Sequence, residues 1–330
     1  MSLFTRLLLS ADHRDRRTRG RKPAHRRAIL TLDRLEERQL LSTTPTVYTV
    51  TNLNSSGSGS LLSAVTQANA QTGNPAGSSI QFAEGLTGQI TLASTLTLNE
   101  TDGPEVITGP GANLVTISGN NAMQVFNVSN TATISSLIIA NGSASEGGGI
   151  YNSGTLTVTN DTVTGNSAAT FGAAIDNNGA LTVNSSTFTN NSGSTSVCYG
   201  GGIYNSGTTT VNNSTFANNG TNTALYEIYE GGGISNHGTM VVSDSAFSGN
   251  STDEQGGGIG NGQFGLMTII NSTIANNSTY ALGGGIFNCY GGTLTATNCT
   301  IADNSGCYGG GLLSYNRGWG TTTVLSAVYA

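Results

Sequence analysis

From residue 150 onward the apolar positions repeat as a fixed figure. An aliphatic residue follows a glycine cluster at Ile150, Ile175, Ile203, Ile234, Ile259, Ile286 and Leu312, at intervals of 25, 28, 31, 25, 27 and 26 residues. Two residues later stands Asn152, Asn177, Asn205, Asn236, Asn261 or Asn288, and finally Ser314. A second block follows each anchor: an apolar residue, a small polar one two later, an apolar one five later and Asn eight later. Val183/Ser185/Phe188/Asn191 and Val211/Asn213/Phe216/Asn219 are examples. Spacing within this block never slips, and insertions fall between its last Asn and the next glycines.

Alternation in runs such as "TLTVTN" and "TTTVNN", rich in Thr and Val, predicts short strands. A period near 25 residues means that each unit must stack on its neighbours to bury its apolar side. Two or three strands per unit, separated by Gly and Asn, predict an all-β parallel β-helix with a coil of 25–31 residues. Equivalent residues would then lie about 4.8 Å apart along the axis. Ladders are expected at Asn166, Asn191, Asn219, Asn250, Asn277 and Asn304, because an amide donates to one coil while accepting from another. The same residues suit left-handed turns, and the glycines suit positive φ and close backbone passage.

The repeated "GGGIYNSGTLTV" with a later FxxN resembles the polymorphic outer-membrane protein repeat over about residues 130–330. Its FxxN element stands here as Phe188–Asn191, Phe216–Asn219 and Phe247–Asn250, with Val or Ile replacing Phe elsewhere. The resemblance implies a right-handed β-helix, secreted or on a cell surface. Many members of that family carry an outer-membrane barrel, which is absent from these residues. The final "TTTVLSAVYA" matches the second block at Val324, Ser326 and Tyr329 and stops before its Asn. The expectation is a fragment, or a protein whose anchor has been lost.

Upstream, "GSGSLLSAVTQANA" places Ser58 or Ser60 as the cap of a short helix with Leu61, Leu62, Val65 and Ala68 on one stripe. Such a helix would plug the end of the tube. The segment resembles the opening of exported CSLREA-type β-helix proteins, with Leu62 where that pattern has Arg. Strand-like pieces at Ile90–Leu98, Leu114–Ile117 and Val125–Val128 supply first coils, and Gly109–Gly119 reads as a linker. The organisation is thus a basic sorting segment over 1–42, a cap and first coils over 43–128, and repeats over 129–330.

Charge sharpens this division. Eleven of the twelve Lys and Arg precede residue 43, while residues 43–330 keep Arg317 alone against thirteen acids. So acidic a body has no footprint for nucleic acid. The basic head lacks the apolar core of a signal peptide. Its "LDRLEERQLLS" (Leu32–Ser42) resembles the LEPR-XLL motif of large bacterial surface proteins, which implies export. No apolar run approaches the roughly 20 residues of a membrane helix. Cys198, Cys289, Cys299 and Cys307 form no CxxC pair and read as isolated thiols, or at most one bridge.

Candidate chemistry is thin. "GNGQFG" (Gly260–Gly265) opens no helix and is no dinucleotide site. A lyase needs a basic residue, and only Arg317 remains after residue 42. A hydrolase needs paired carboxylates, and the one cluster of note is Glu227, Glu230, Asp253 and Glu254 beside the longest insertion. It reads first as a solvated edge, next as a glycan or Ca²⁺ contact, and last as a catalytic pair. Tyr151, Tyr204 and Phe287 share a column that could stack on sugars or shield the sheet. The expectation is an exported structural or adhesive surface protein with no catalytic residue, metal or cofactor. Its partner would be a surface polysaccharide or another surface protein. The alternative is a carbohydrate-binding or polysaccharide-hydrolysing β-helix using the Glu230/Glu254 edge.

Overall fold

The computed structural model describes residues 44–111, 113–194, 198–221, 231–289, 291–315, 320–326 and 328–329. The basic head, Glu227, Glu230 and Arg317 lie outside them. The described chain from residue 44 onward is a right-handed parallel β-helix. One coil shows the plan: Ile175–Asn177, then Ala180–Asn184, then Thr187–Thr189, before the next coil begins at Ile203–Asn205. Stacking these segments yields a glycine sheet of nine strands, a long sheet of eleven and a third sheet of ten. Every pairing between coils is parallel, and anchors pair with anchors, Ile175 with Ile203 and Ile203 with Ile234.

Period-2 alternation aims the apolar columns inward. Ile203, Val211 and Phe216 are buried without exposure, one from each sheet. In the third sheet Phe188, Phe216 and Phe247 stack at centroid separations of 4.7 and 4.8 Å with nearly parallel rings. That separation is the spacing between strands. The column continues with Ile274 and Ile301, so an aliphatic side chain already fills this position elsewhere. Phe216→Leu is therefore expected to cost only about 1 kcal/mol, read as a small shift in the urea midpoint at unchanged slope.

Two backbone devices close each coil. At Asn160, Ser185, Asn213, Asp244, Asn271 and Asn298 the chain turns with φ between 48° and 57°. A second left-handed residue sits at Gly165, Asn190, Asn218, Gly249, Asn276 and Asp303. This corrects the sequence reading, which gave the ladder asparagines both jobs. The left-handed residue is the one immediately before each ladder Asn. The division is physical, because a side chain buried for hydrogen bonding is best held on ordinary backbone, while the turn falls to its exposed neighbour. In the glycine cluster, close passage is the requirement at Gly233, where a Cβ would lie 2.7 Å from the Gly258 carbonyl oxygen of the next coil.

The helix spans Leu61–Asn69, and the Ser60 hydroxyl accepts from the Ser63 amide at 3.2 Å. Its buried stripe is Leu61, Ala64, Val65 and Ala68; Leu62 lies half-buried beside it rather than on it. These side chains join the core of the first coils. Those coils begin earlier than the apolar runs imply, with Thr46–Val50 paired to Ser78–Phe82 in the long sheet, which Glu105–Thr108 then extends. The strand-like piece expected at Leu114–Ile117 is the strand Val115–Ser118, paired with Gly88–Thr91, so the Gly109–Gly119 linker ends in a strand. Among the described residues no helix is long and apolar enough to cross a membrane. No disulfide joins the four cysteines.

Candidate functional site

Three polar ladders run through the coils. In the first, Asn219 accepts on Oδ1 from the Asn191 amide at 3.1 Å and from Asn191 Nδ2 at 2.9 Å. Its own Nδ2 donates to Asn250 Oδ1 at 3.0 Å and back to the Phe188 carbonyl at 2.9 Å. One side chain thus ties three coils. The same contact links Asn166 to Asn191, Asn250 to Asn277 and Asn277 to Asn304. The second ladder runs Asn152, Asn177, Asn205, Asn236, Asn261 and Asn288 in the glycine sheet, at 2.6–2.8 Å per rung.

The third ladder escaped the sequence reading. Ser186, Ser214, Ser245 and Ser272 follow the first left-handed turn, are buried, and accept on Oγ from the amide of the coil below. Each hydroxyl also donates to a carbonyl two residues back. Asp161 and Cys299 occupy the two ends. The Cys299 thiol donates to the Thr297 carbonyl at 3.3 Å, which makes this cysteine a serine stand-in. The Asp161 carboxylate accepts from the amides of Leu137 and Thr159. Burial still outweighs those bonds and lifts its pKa to about 7. The signal was present, a serine at a constant offset, but Ser is common enough here to hide it.

Ladders hold the scaffold; the chemistry that departs from uniformity lies on the outer face of the glycine sheet. The position after each anchor forms a column of Tyr151, Asp176, Tyr204, Ser235, Gly260 and Phe287. Beside it runs the residue preceding each glycine cluster, where Glu146 pairs with Phe171 and Phe171 with Tyr199. The rings converge. Phe171 lies 4.5 Å from Tyr204 and 5.5 Å from Tyr199 between centroids, and Tyr204 lies 5.3 Å from His237. Gly262 makes room for that imidazole, since a Cβ there would stand 2.5 Å from His237 Cε1.

Two carboxylates border the rings. Asp176 is 1% exposed; Asn178 donates to its Oδ2 at 3.4 Å, and its Oδ1 has no hydrogen-bond partner. Burial first, and Glu146 second, raise its pKa to about 7. The Tyr204 phenol is pushed up to about 12 by burial, then by Asp176 and Glu146. The half-buried rings of Phe171, Tyr199 and Tyr204 beside the partly exposed Glu146 carboxylate, with Asp176 buried among them, make an amphipathic strip, which suits the mixed C–H and O–H surface of a sugar. Tyr204 and Tyr151 were legible in sequence as a column; Asp176 and His237 were legible only by offset from the anchors.

Of the expected acidic edge, Asp253 and Glu254 are described and half-buried. Burial, then Asp253, raises the pKa of Glu254. Among the described residues no group of three or more His, Cys, Asp or Glu is placed to hold a metal ion.

No protein-family model matches the chain, and no curated protein does. Among solved structures, the chain is similar to ORF18 of Geobacillus virus E2, with 11% identity and a TM-score of 0.39. The match covers 85% of this chain and 61% of that one, so this chain spans less than two thirds of the viral protein's length.

Proposed function

We propose that the chain is an exported cell-surface β-helix, a structural and adhesive scaffold without catalytic activity. The strip around Tyr204 is its contact surface for surface polysaccharide. The observation behind this reading is the ring cluster of Phe171, Tyr199 and Tyr204 with Asp176, the place where side chains depart from an otherwise repeating scaffold. The LEPR-XLL-like head, the CSLREA-like opening and the resemblance to the polymorphic outer-membrane protein repeat support export. The acidic body supports a neutral or cationic partner rather than nucleic acid.

The test joins location to binding. The protein is expected in the envelope or medium of the source cells, and the purified chain is expected to bind bacterial surface polysaccharides on a glycan array. Tyr204→Ala should weaken that binding about five- to thirtyfold with an unchanged far-ultraviolet spectrum, since one aromatic–ligand contact is worth about 1–2 kcal/mol. Recovery from the cytosol would overturn the surface assignment. Equal binding by Tyr204→Ala would overturn the strip.

One alternative is polysaccharide hydrolysis at the Glu230/Glu254 edge; burial, then Asp253, raises the pKa of Glu254, the direction a general acid needs. Release of reducing ends from a bound polysaccharide, lost in Glu254→Gln, would establish it instead.

A further inference from the structure

The least compensated charge in the described structure lies inside the first coils, far from the strip in sequence. Glu105 opens a strand of the long sheet and shares the inward face with Ile107. It is 1% exposed, and neither carboxylate oxygen has a hydrogen-bond partner. Its register partner one coil below is Ser78, whose hydroxyl bonds Glu100 Oε2. Glu100 is itself buried, with Oε1 accepting from Gln71 Nε2 at 3.2 Å. The Tyr48 hydroxyl steadies that glutamine through its Oε1, and Asn130 holds the Glu100 carbonyl at 3.0 Å. A second carboxylate is therefore held on Ser78, the strand neighbour of the unpartnered Glu105, and its charge is felt there.

Nothing among the described residues neutralises the pair, for they contain no Lys or Arg and their one histidine is His237. Asp102 adds a further negative charge beside Glu100, and its Oδ2 also lacks a partner. On the far side of Glu105 the column continues with Ala132, a small side chain where later coils place Leu156 and Leu181. The pair is thus flanked by small residues. A surface cleft of about 440 Å³, lined by Asp102, Pro104, Asn130 and Thr155, opens onto Glu100.

We infer that Glu100 and Glu105 bind a divalent cation, calcium by the character of the donors, inside the first coils. All available donors are oxygens, two carboxylates and the Ser78 hydroxyl, which is the ligand set of a hard cation. Two carboxylates balance its charge, and water entering through the cleft completes the coordination. Burial pushes the Glu105 pKa up to about 8, with Glu100 adding to the shift. The ion would pin the helix-bearing end, because Ser78, Glu100 and Glu105 belong to different strands or their margins.

The test uses the full chain stripped with EDTA and titrated with calcium chloride alone at pH 7. Calorimetry should show one saturable site. Calcium at about a hundredfold its Kd should raise the thermal midpoint by about 5 °C. Glu105→Gln should bind calcium at least a hundredfold more weakly, yet melt in EDTA no lower than the parent, which separates lost ligation from lost folding. No saturable binding overturns the inference. Binding that survives in Glu105→Gln also overturns it by locating the ion on another acidic edge.

Discussion

Asn219→Ala is expected to be among the most damaging single substitutions in the solenoid, at about 3–6 kcal/mol. The asparagine is fully buried and its side chain makes four hydrogen bonds to two neighbouring coils. Alanine leaves the Asn191 amide and one Asn191 Nδ2 hydrogen without an acceptor, and takes a donor from the Phe188 carbonyl. Each buried orphan costs about 1–3 kcal/mol, and water has no route to all of them. Urea unfolding should show the lost stability directly. In a solenoid the loss is also local, since coils contact only their neighbours. Amide exchange should therefore accelerate first in the coils of Asn191 and Asn250.

The neighbouring residue provides the contrast. Asn218 is exposed with φ of 54°, so Asn218→Ala should cost about 1 kcal/mol for the left-handed backbone alone. Asn218→Gly should cost almost nothing, as Gly165 and Gly249 occupy the same turn in other coils. Equal losses at 218 and 219 would show that turn geometry, rather than the amide ladder, holds the coils together.

Glu105→Gln is expected to act with the opposite sign. The folded-state pKa of about 8 stands above the ordinary value of 4.5. In EDTA the folded protein therefore keeps a proton that the unfolded chain has released. Stability is greatest below pH 4.5, falls as pH rises, and levels off above pH 8. Each pH unit inside that window costs about 1.4 kcal/mol, so the whole descent approaches about 4–5 kcal/mol. Glutamine is neutral throughout. The variant should match the parent near pH 4 and exceed it by several kcal/mol at pH 8. Asp161 and Asp176, both near pKa 7, add slopes of the same sign to both proteins. The difference between parent and variant is thus the quantity that isolates Glu105. Parallel profiles would refute the assignment.

The solenoid was legible because its rule is local and repeated. Anchors such as Ile203 and block residues such as Val211 and Phe216 recur at fixed offsets, and one coil's pattern implies the next coil's register. Strand length, the inward columns and the Asn219 ladder all follow from period-2 alternation and a constant spacing. The serine ladder through Ser214 obeyed the same rule and went unread only because serine is abundant.

What the repeat does not encode had to come from the tertiary structure. Glu105 and Glu100 sit in early coils with few repeated features, where sequence alone gave no reason to bring them to Ser78. Asp176 looks like an ordinary polar residue until its column places it between Tyr151 and Tyr204. The division of labour between Asn218 and Asn219 likewise depends on which neighbour faces inward. Periodicity specifies which residues stack, because stacking depends on offset alone. Burial and uncompensated charge depend on what else reaches the same point, and only the folded coils decide that.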